Sequence, residues 1–162
     1  MNKWIFLTGL AFFFLGGCQK EPDLLPSDQV DALKTTPIIL KNETDSQEVT
    51  LKIGDIAWIF PEGIGIAFTD VTEDSRCPEG VTCFWQGRAV AKLTVSKRGQ
   101  IATVLIATPS SATDPSASLS VMGLSIYMRG MLPYPTAENP NIPKEDYRLT
   151  LLIKRGGNIN GN

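Results

Sequence analysis

Residues 87–107 read GRAVAKLTVSKRGQIATVLIA. Two strand-like runs, Gly87 to Lys97 and Gln100 to Ala107, flank Arg98-Gly99, a pair suited to the tight turn of a β-hairpin. In the second run Ile101 to Ile106 is apolar on both parities, which predicts a strand covered on both faces. Outward from this hairpin the same period of two recurs. Val49, Leu51 and Ile53 alternate with Thr50 and Lys52; Ile64, Ile66 and Phe68 alternate with smaller residues; Tyr147, Leu149, Leu151 and Ile153 alternate with Arg148, Thr150 and Lys154. Each pattern describes a strand with one face on a core. Leu119 to Met128 reads as a further strand, weakened by Gly123.

No segment after residue 48 carries a sustained 3.6-residue apolar stripe. About seven strands between residues 48 and 154, mostly joined by turns, predict an all-β domain: an antiparallel β-sandwich with immunoglobulin-like character, a small Greek-key barrel being the alternative. Two connections exceed a turn. Thr108 to Ser118, built of Ser, Ala, Thr, Pro and one Asp, reads as a mobile surface loop. Leu132 to Asp146 carries Pro133, Pro135, Pro140 and Pro143 around Tyr134 and reads as a stiff segment protecting a sheet edge. Pro61-Glu62 followed by Gly63-Ile64-Gly65 reads as a turn, since no third glycine or helix follows to make a phosphate loop.

The start of the chain is of another kind. Met1-Asn2-Lys3 is short and basic, Trp4 to Leu15 is nearly unbroken apolar, and Gly16 and Gly17 precede Cys18. Those are the three parts of a secretory signal, too short to span a hydrocarbon core that needs about 20 helical residues. Leu15-Gly16-Gly17-Cys18 resembles the lipobox of bacterial lipoproteins. That resemblance implies removal of residues 1–17, acylation of Cys18, and a stable anchor through two or three acyl chains. Gln19-Lys20-Glu21-Pro22-Asp23 is similar to the signal that sends some such proteins to the outer face of the outer membrane, departing from it at Pro22. The expected address is therefore the outer membrane, with surface exposure favoured over a periplasm-facing domain. Residues 18–47 are expected to form the lipidated start and a tether, reaching roughly 90 to 100 Å if extended. Ser27 to Lys34 offers two turns of helix within it. Residues 48–162 form the expected domain.

The chain has three cysteines. With Cys18 lipidated, Cys77 and Cys83 remain as an even pair in a compartment where disulfides persist. Pro78 and Gly80 suit the tight turn of so small a ring, and closing it constrains the unfolded chain by about 2 to 2.5 kcal/mol. Asp74-Ser75-Arg76-Cys77-Pro78-Glu79-Gly80-Val81-Thr82-Cys83-Phe84-Trp85-Gln86-Gly87 resembles a motif of small secreted or lipoprotein β-domains, Asp-Ser-Arg-Cys-Pro-x-x-Val-x-Cys-x-Trp-x-Gly. The stretch from Pro133-Tyr134-Pro135 to Asp146-Tyr147-Arg148-Leu149 is similar to the end of such domains. The resemblance implies a fold more than a chemistry.

Composition narrows the chemistry. There is no histidine, so Ser-His-Asp and Cys-His catalysis and imidazole metal sites are excluded. Lys and Arg number 15 against 17 Asp and Glu, scattered, for a net charge of -2, which gives no footprint for nucleic acid. No cofactor, metal site or catalytic residue is expected. The remaining catalytic possibility is a carboxylate-based hydrolase using Asp70, Glu73, Asp74 or Glu79, residues that also suggest calcium without its loop spacing. Candidate binding residues are Trp85 and Phe84, as an aromatic platform if Trp85 is not packed inside against the disulfide, together with Arg76, Arg88 and Tyr134. Arg76 and Arg88 have Asp74 and Glu73 as their default partners. The expected function is non-catalytic: a lipid-anchored envelope protein binding a protein or glycan through loops at one end of the sandwich, or lending or accepting a strand in an envelope assembly.

Overall fold

The alternating runs become two packed sheets. The computed structural model describes residues 35–40, 45–111 and 113–156. Its strands are β1 Thr35–Ile39, β2 Ser46–Lys52, β3 Ile56–Phe60, β4 Ile64–Asp74, β5 Ala89–Lys97, β6 Gln100–Ala107, β7 Ser118–Val121, β8 Leu124–Leu132 and β9 Arg148–Arg155. They order as β1-β3-β4-β5-β6 in one sheet and β2-β9-β8-β7 in the other, open at their edges and not closed into a barrel. The inward positions are the periodic ones: Val49 and Leu51, Ile66 and Phe68, Leu93 and Val95, Leu149, Leu151 and Ile153 are all buried. The expected signal peptide, the Cys18 anchor and the helix at 27–34 lie outside the described residues.

The β-sandwich is as expected, but four details differ. First, β1 falls in the stretch read as tether. It pairs parallel to β3, Thr35 opposite Ile56 and Ile39 opposite Phe60, so the sheet is not wholly antiparallel. Ile38 and Leu40 are fully buried in the core, so residues 35–40 belong to the domain expected to begin at residue 48. Pro37 concealed the strand; at a sheet edge its missing N–H costs little. Second, Leu119 to Met128 is not one strand. Met122 and Gly123 both have positive φ, 52° and 85°, as do Arg98 and Gly99 at 48° and 83°, so each pair forms a hairpin turn of the twist-matching type. The glycine read as a weak strand interior is the turn itself. Third, β6 is covered on one face only. Ile106 is buried, whereas Ile101 and Leu105 are exposed, because among the described residues no layer lies over the outer face of this edge strand.

Fourth, the connectivity is not immunoglobulin-like. That fold sends strands A, B, D and E to one sheet and C, F and G to the other. Here β3 to β6 run as one meander and β7 to β9 as another, and the chain changes sheet only after β1, β2 and β6. Within the two meanders the connections sort by length. Short turns gather at one end, where Lys97 Nζ donates to Met122 O at 3.2 Å and Arg155 pairs with Glu62 at 2.6 Å. The long connections 75–88, 108–117 and 133–147 gather at the other, called here the loop end.

β4 reaches the loop end through two irregularities. Its register against β5 shifts between Phe68 and Asp70 and again between Val71 and Glu73. Each bulge flips the parity, so Val71 is buried while Asp70 faces outward. A strict period of two ends at Phe68, which is why the sequence pattern stops short of the strand's end.

If β1 belongs to the core, Ile38→Ala removes a fully buried side chain and lowers stability by about 2 to 4 kcal/mol. Urea unfolding checks this; an unchanged midpoint would show that residues 35–40 do not belong to the core.

Candidate functional site

Three long connections meet at the loop end around one buried cation. Arg76 is 6% exposed, the buried charged residue of the core. Its Nε donates to Asp74 Oδ1 at 2.8 Å and its Nη2 to Asp74 Oδ2 at 2.6 Å, a two-point fork that planar guanidinium and carboxylate groups favour. Nη1 donates to Met131 O at 2.6 Å and Nη2 also to Pro133 O at 3.0 Å, where β8 ends. Tyr134 lies over the guanidinium, its ring centre 4.8 Å from the central carbon, and Tyr147 donates its hydroxyl to Asp74 Oδ2 at 2.9 Å. One ion pair thus joins the end of β4, the end of β8 and the approach to β9. Asp74 is the default partner of Arg76, as expected.

These contacts set the protonation of the group. Burial pushes the Asp74 carboxyl up, but the hydrogen bonds from Arg76 and Tyr147 and the adjacent positive charge outweigh it and hold Asp74 below its ordinary value. Burial, reinforced by the hydrogen bond and charge of Asp74, pushes the Tyr147 phenol up to about 12. Asp70 is held down by its 2.6 Å hydrogen bond from Lys144. Asp70 and Asp74 are therefore shifted opposite to the raised value a general acid requires. Glu73 accepts from Ser75 at 3.1 Å and sits 3.6 Å from Arg88 in an exposed pair. Among the described residues no group of three acidic or cysteine side chains gathers as for a metal.

The hairpin of β4 and β5 continues past its strands. Ser75 N donates to Arg88 O and Cys77 N to Gln86 O, both at 2.8 Å. Cys77 and Cys83 form the expected disulfide, with 5.9 Å between their Cα atoms. Gly87 is obligatory here: its φ is +66°, and a Cβ would stand 1.8 Å from Ser75 O. The proline-rich segment does not shield a sheet edge. It lies beside the cysteine loop, with Glu79 N donating to Pro135 O at 2.9 Å and Ala137 N to Glu79 O at 3.2 Å. The 108–118 connection is likewise organised: Asp114 accepts from the backbone N–H and hydroxyl of both Ser110 and Ser116, capping a short 3-10 turn at Pro115–Ala117. Those bonds hold the Asp114 carboxyl well below the usual range.

Between these segments lies a hollow of about 410 Å³, lined by Arg76, Gln86, Thr108, Pro109, Arg129, Gly130, Met131, Leu132, Tyr134 and Thr150 among others. A second, of about 640 Å³, shares Gln86, Pro109 and Arg129 with it and extends to Tyr127 and Met128. Together they form a groove along β8. Its origin is an unequal hairpin: β7 pairs with Leu124 to Tyr127 only, while β8 continues to Leu132 on its β9 side. From Met128 onward the other side of β8 has no strand neighbour among the described residues.

Of the residues singled out in the sequence, Arg76 and Tyr134 line this groove. Arg88 belongs to a different hollow with Val90 and Leu105. Trp85 is not packed inside against the disulfide. It is 72% exposed and Phe84 98% exposed, their rings in an edge-to-face pair 5.8 Å apart. A hairpin that extends outward past both sheets leaves them nothing to pack on. Gln86, Arg129, Met131 and Leu132 were not anticipated. The signal for them was the turn at Met122-Gly123, which leaves a short arm before it and a long arm after it. Comparisons with protein-family models, with curated proteins and with solved structures find no match to this chain.

Asp74→Asn leaves the Arg76 guanidinium buried without its counter-charge, and stability should fall by about 3 to 5 kcal/mol. Asp70 and Asp74 have folded values below their unfolded ones. Their contribution is thus fully present above about pH 4 and fades as pH falls through the lowered values. Acid titration of unfolding should show this limb flattened in Asp74→Asn; an unaltered limb would contradict the assignment.

Proposed function

We propose that this is a lipid-anchored protein of the bacterial cell envelope, non-catalytic, that holds an extended segment of another envelope protein in the groove beside β8. The observation that carries the reading is the strand edge left open where β7 stops. There β8 presents backbone groups at the spacing of a peptide, Met131 O excepted because it already accepts from Arg76 Nη1; this is the basis of strand addition, and alternate side chains of the incoming segment then find pockets. Met131, Leu132 and Pro109 supply apolar contact, and Gln86, Thr108 and Arg129 supply polar contact, the mixture usual in recognition sites. A glycan is less well served, because Trp85 and Phe84, the flat rings suited to stacking on a sugar, line neither hollow. Asp70 and Asp74 are both held below their ordinary values, which does not suit either of them as the general acid of a carboxylate-based hydrolase.

The lipid anchor rests on Leu15-Gly16-Gly17-Cys18, and placement at the outer face of the outer membrane rests on Gln19 to Asp23. The Cys77–Cys83 disulfide accords with an oxidising compartment.

Cys18→Ala should move the protein from the membrane fraction to the soluble one; unchanged partition would contradict the anchor. For the groove, a photo-crosslinking residue at Arg129 on intact cells should capture one predominant protein, while the same residue at Glu48, on the opposite edge of that sheet, should not. A Cβ at Gly130 meets nothing within 4 Å, so Gly130→Trp can fill the groove without a backbone clash and should abolish the capture. Equal capture from both positions would overturn the site.

A further inference from the structure

The tip of the β4–β5 hairpin carries an apolar group that the groove does not use. Val81, Phe84 and Trp85 are all exposed, and none of them lines the hollows beside β8. They are held out by construction: the disulfide closes the tip, Cys77 N bonds Gln86 O behind it, and Glu79 is tied on both its backbone groups to the 135–137 segment. We infer that this tip seats in the interfacial layer of the bilayer to which the chain is anchored, an assignment that rests on the lipid-anchor reading of Cys18.

Three observations choose a bilayer as the occupant. The first is direction. β1 runs parallel to β3 and antiparallel to β4, so its first residue, Thr35, is the end of that strand nearer the loop end. The second is length. With β1 in the domain, only the seventeen residues 18–34 separate it from the anchor, a span of at most about 60 Å in any conformation, so the lipid surface is always within reach. The third is chemistry. Trp is a residue of the membrane interface, where its apolar rings and its polar N–H are both accommodated, and Phe beside it supplies apolar surface that enters the headgroup/acyl boundary. Between Cys77 and Gly87 there is no lysine or arginine, so the contact is apolar and not a response to anionic headgroups.

The test uses the lipidated mature protein in vesicles of phosphatidylcholine, with and without bromine on the acyl chains. After loss of the signal two tryptophans remain, Trp58 and Trp85. In Trp58→Phe, where Trp85 alone reports, bromolipid should remove most of the emission, and adding phosphatidylglycerol should not increase the effect. In Trp85→Phe the remaining emission should be nearly unaffected. Replacing the exposed Phe84 by Ser in the Trp58→Phe background should weaken the quenching without altering the fold. Protein that floats with the vesicles while Trp85 stays unquenched would overturn the inference and leave the anchor standing. Failure to float would overturn the anchor reading and this placement with it. Unquenched Trp85 that crosslinks to an envelope protein on cells would assign the tip to a protein and overturn the bilayer contact.

Discussion

The loop end depends on burying one guanidinium. A charged group out of water is destabilising by several kcal/mol unless its hydrogen bonds and counter-charge are supplied together, and Arg76 receives both. Asp74 supplies the charge from two residues away, which requires the chain between them to be held in one conformation. Met131 O and Pro133 O supply the remaining acceptors, which requires β8 to end at one place. Removing any of these leaves an unpaired group inside the protein, so the ends of β4 and β8 are tied to one another more firmly than their separate loops would be. Apolar side chains in place of a whole buried ion pair can stabilise as well; what the ion pair adds is a single geometry, which is what a recognition surface needs.

The two-meander topology explains why that surface has room to form. Within each meander the two- and three-residue turns fall at one end and the long connections at the other, so the cysteine loop, the Asp114 turn and the proline-rich segment become neighbours though far apart in the chain. The disulfide and the ion pair divide the work. Cys77–Cys83 fixes the shape of the hairpin tip, and Arg76–Asp74 fixes where the hairpin stands relative to β8. The groove lies between these two constraints, and the exposed aromatic pair lies beyond both.

Much of the core was legible because its strands keep one parity: Val49 to Ile53, Ile64 to Phe68 and Tyr147 to Ile153 each bury the side predicted. The misses have physical causes. β4 changes parity at its bulges, so its outer half resembled a loop. Pro37 made β1 look like linker, although an edge strand tolerates it. Ile101 and Leu105 look like core residues in composition, and only the absence of a covering layer makes them surface. At the loop end the pairing of Arg76 with Asp74 and of Cys77 with Cys83 could be read from proximity in sequence. The bonds from Arg76 to residues 55 and 57 positions away could not, nor could the open side of β8, which is a property of two strands of unequal length. Packing of Trp85 against the disulfide belongs to sandwiches whose disulfide joins the two sheets; a disulfide within a single hairpin carries its neighbours outward.

The account makes the Arg76 guanidinium the link that holds the loop end as one cooperative unit, a claim that residue-resolved hydrogen exchange reads directly. In Arg76→Leu the amides of Cys77, Glu79 and Ala137 should lose protection together, while those of Leu149 and Leu151 keep theirs. Undiminished protection at Glu79 and Ala137 would show that the disulfide alone organises this end and would contradict the account.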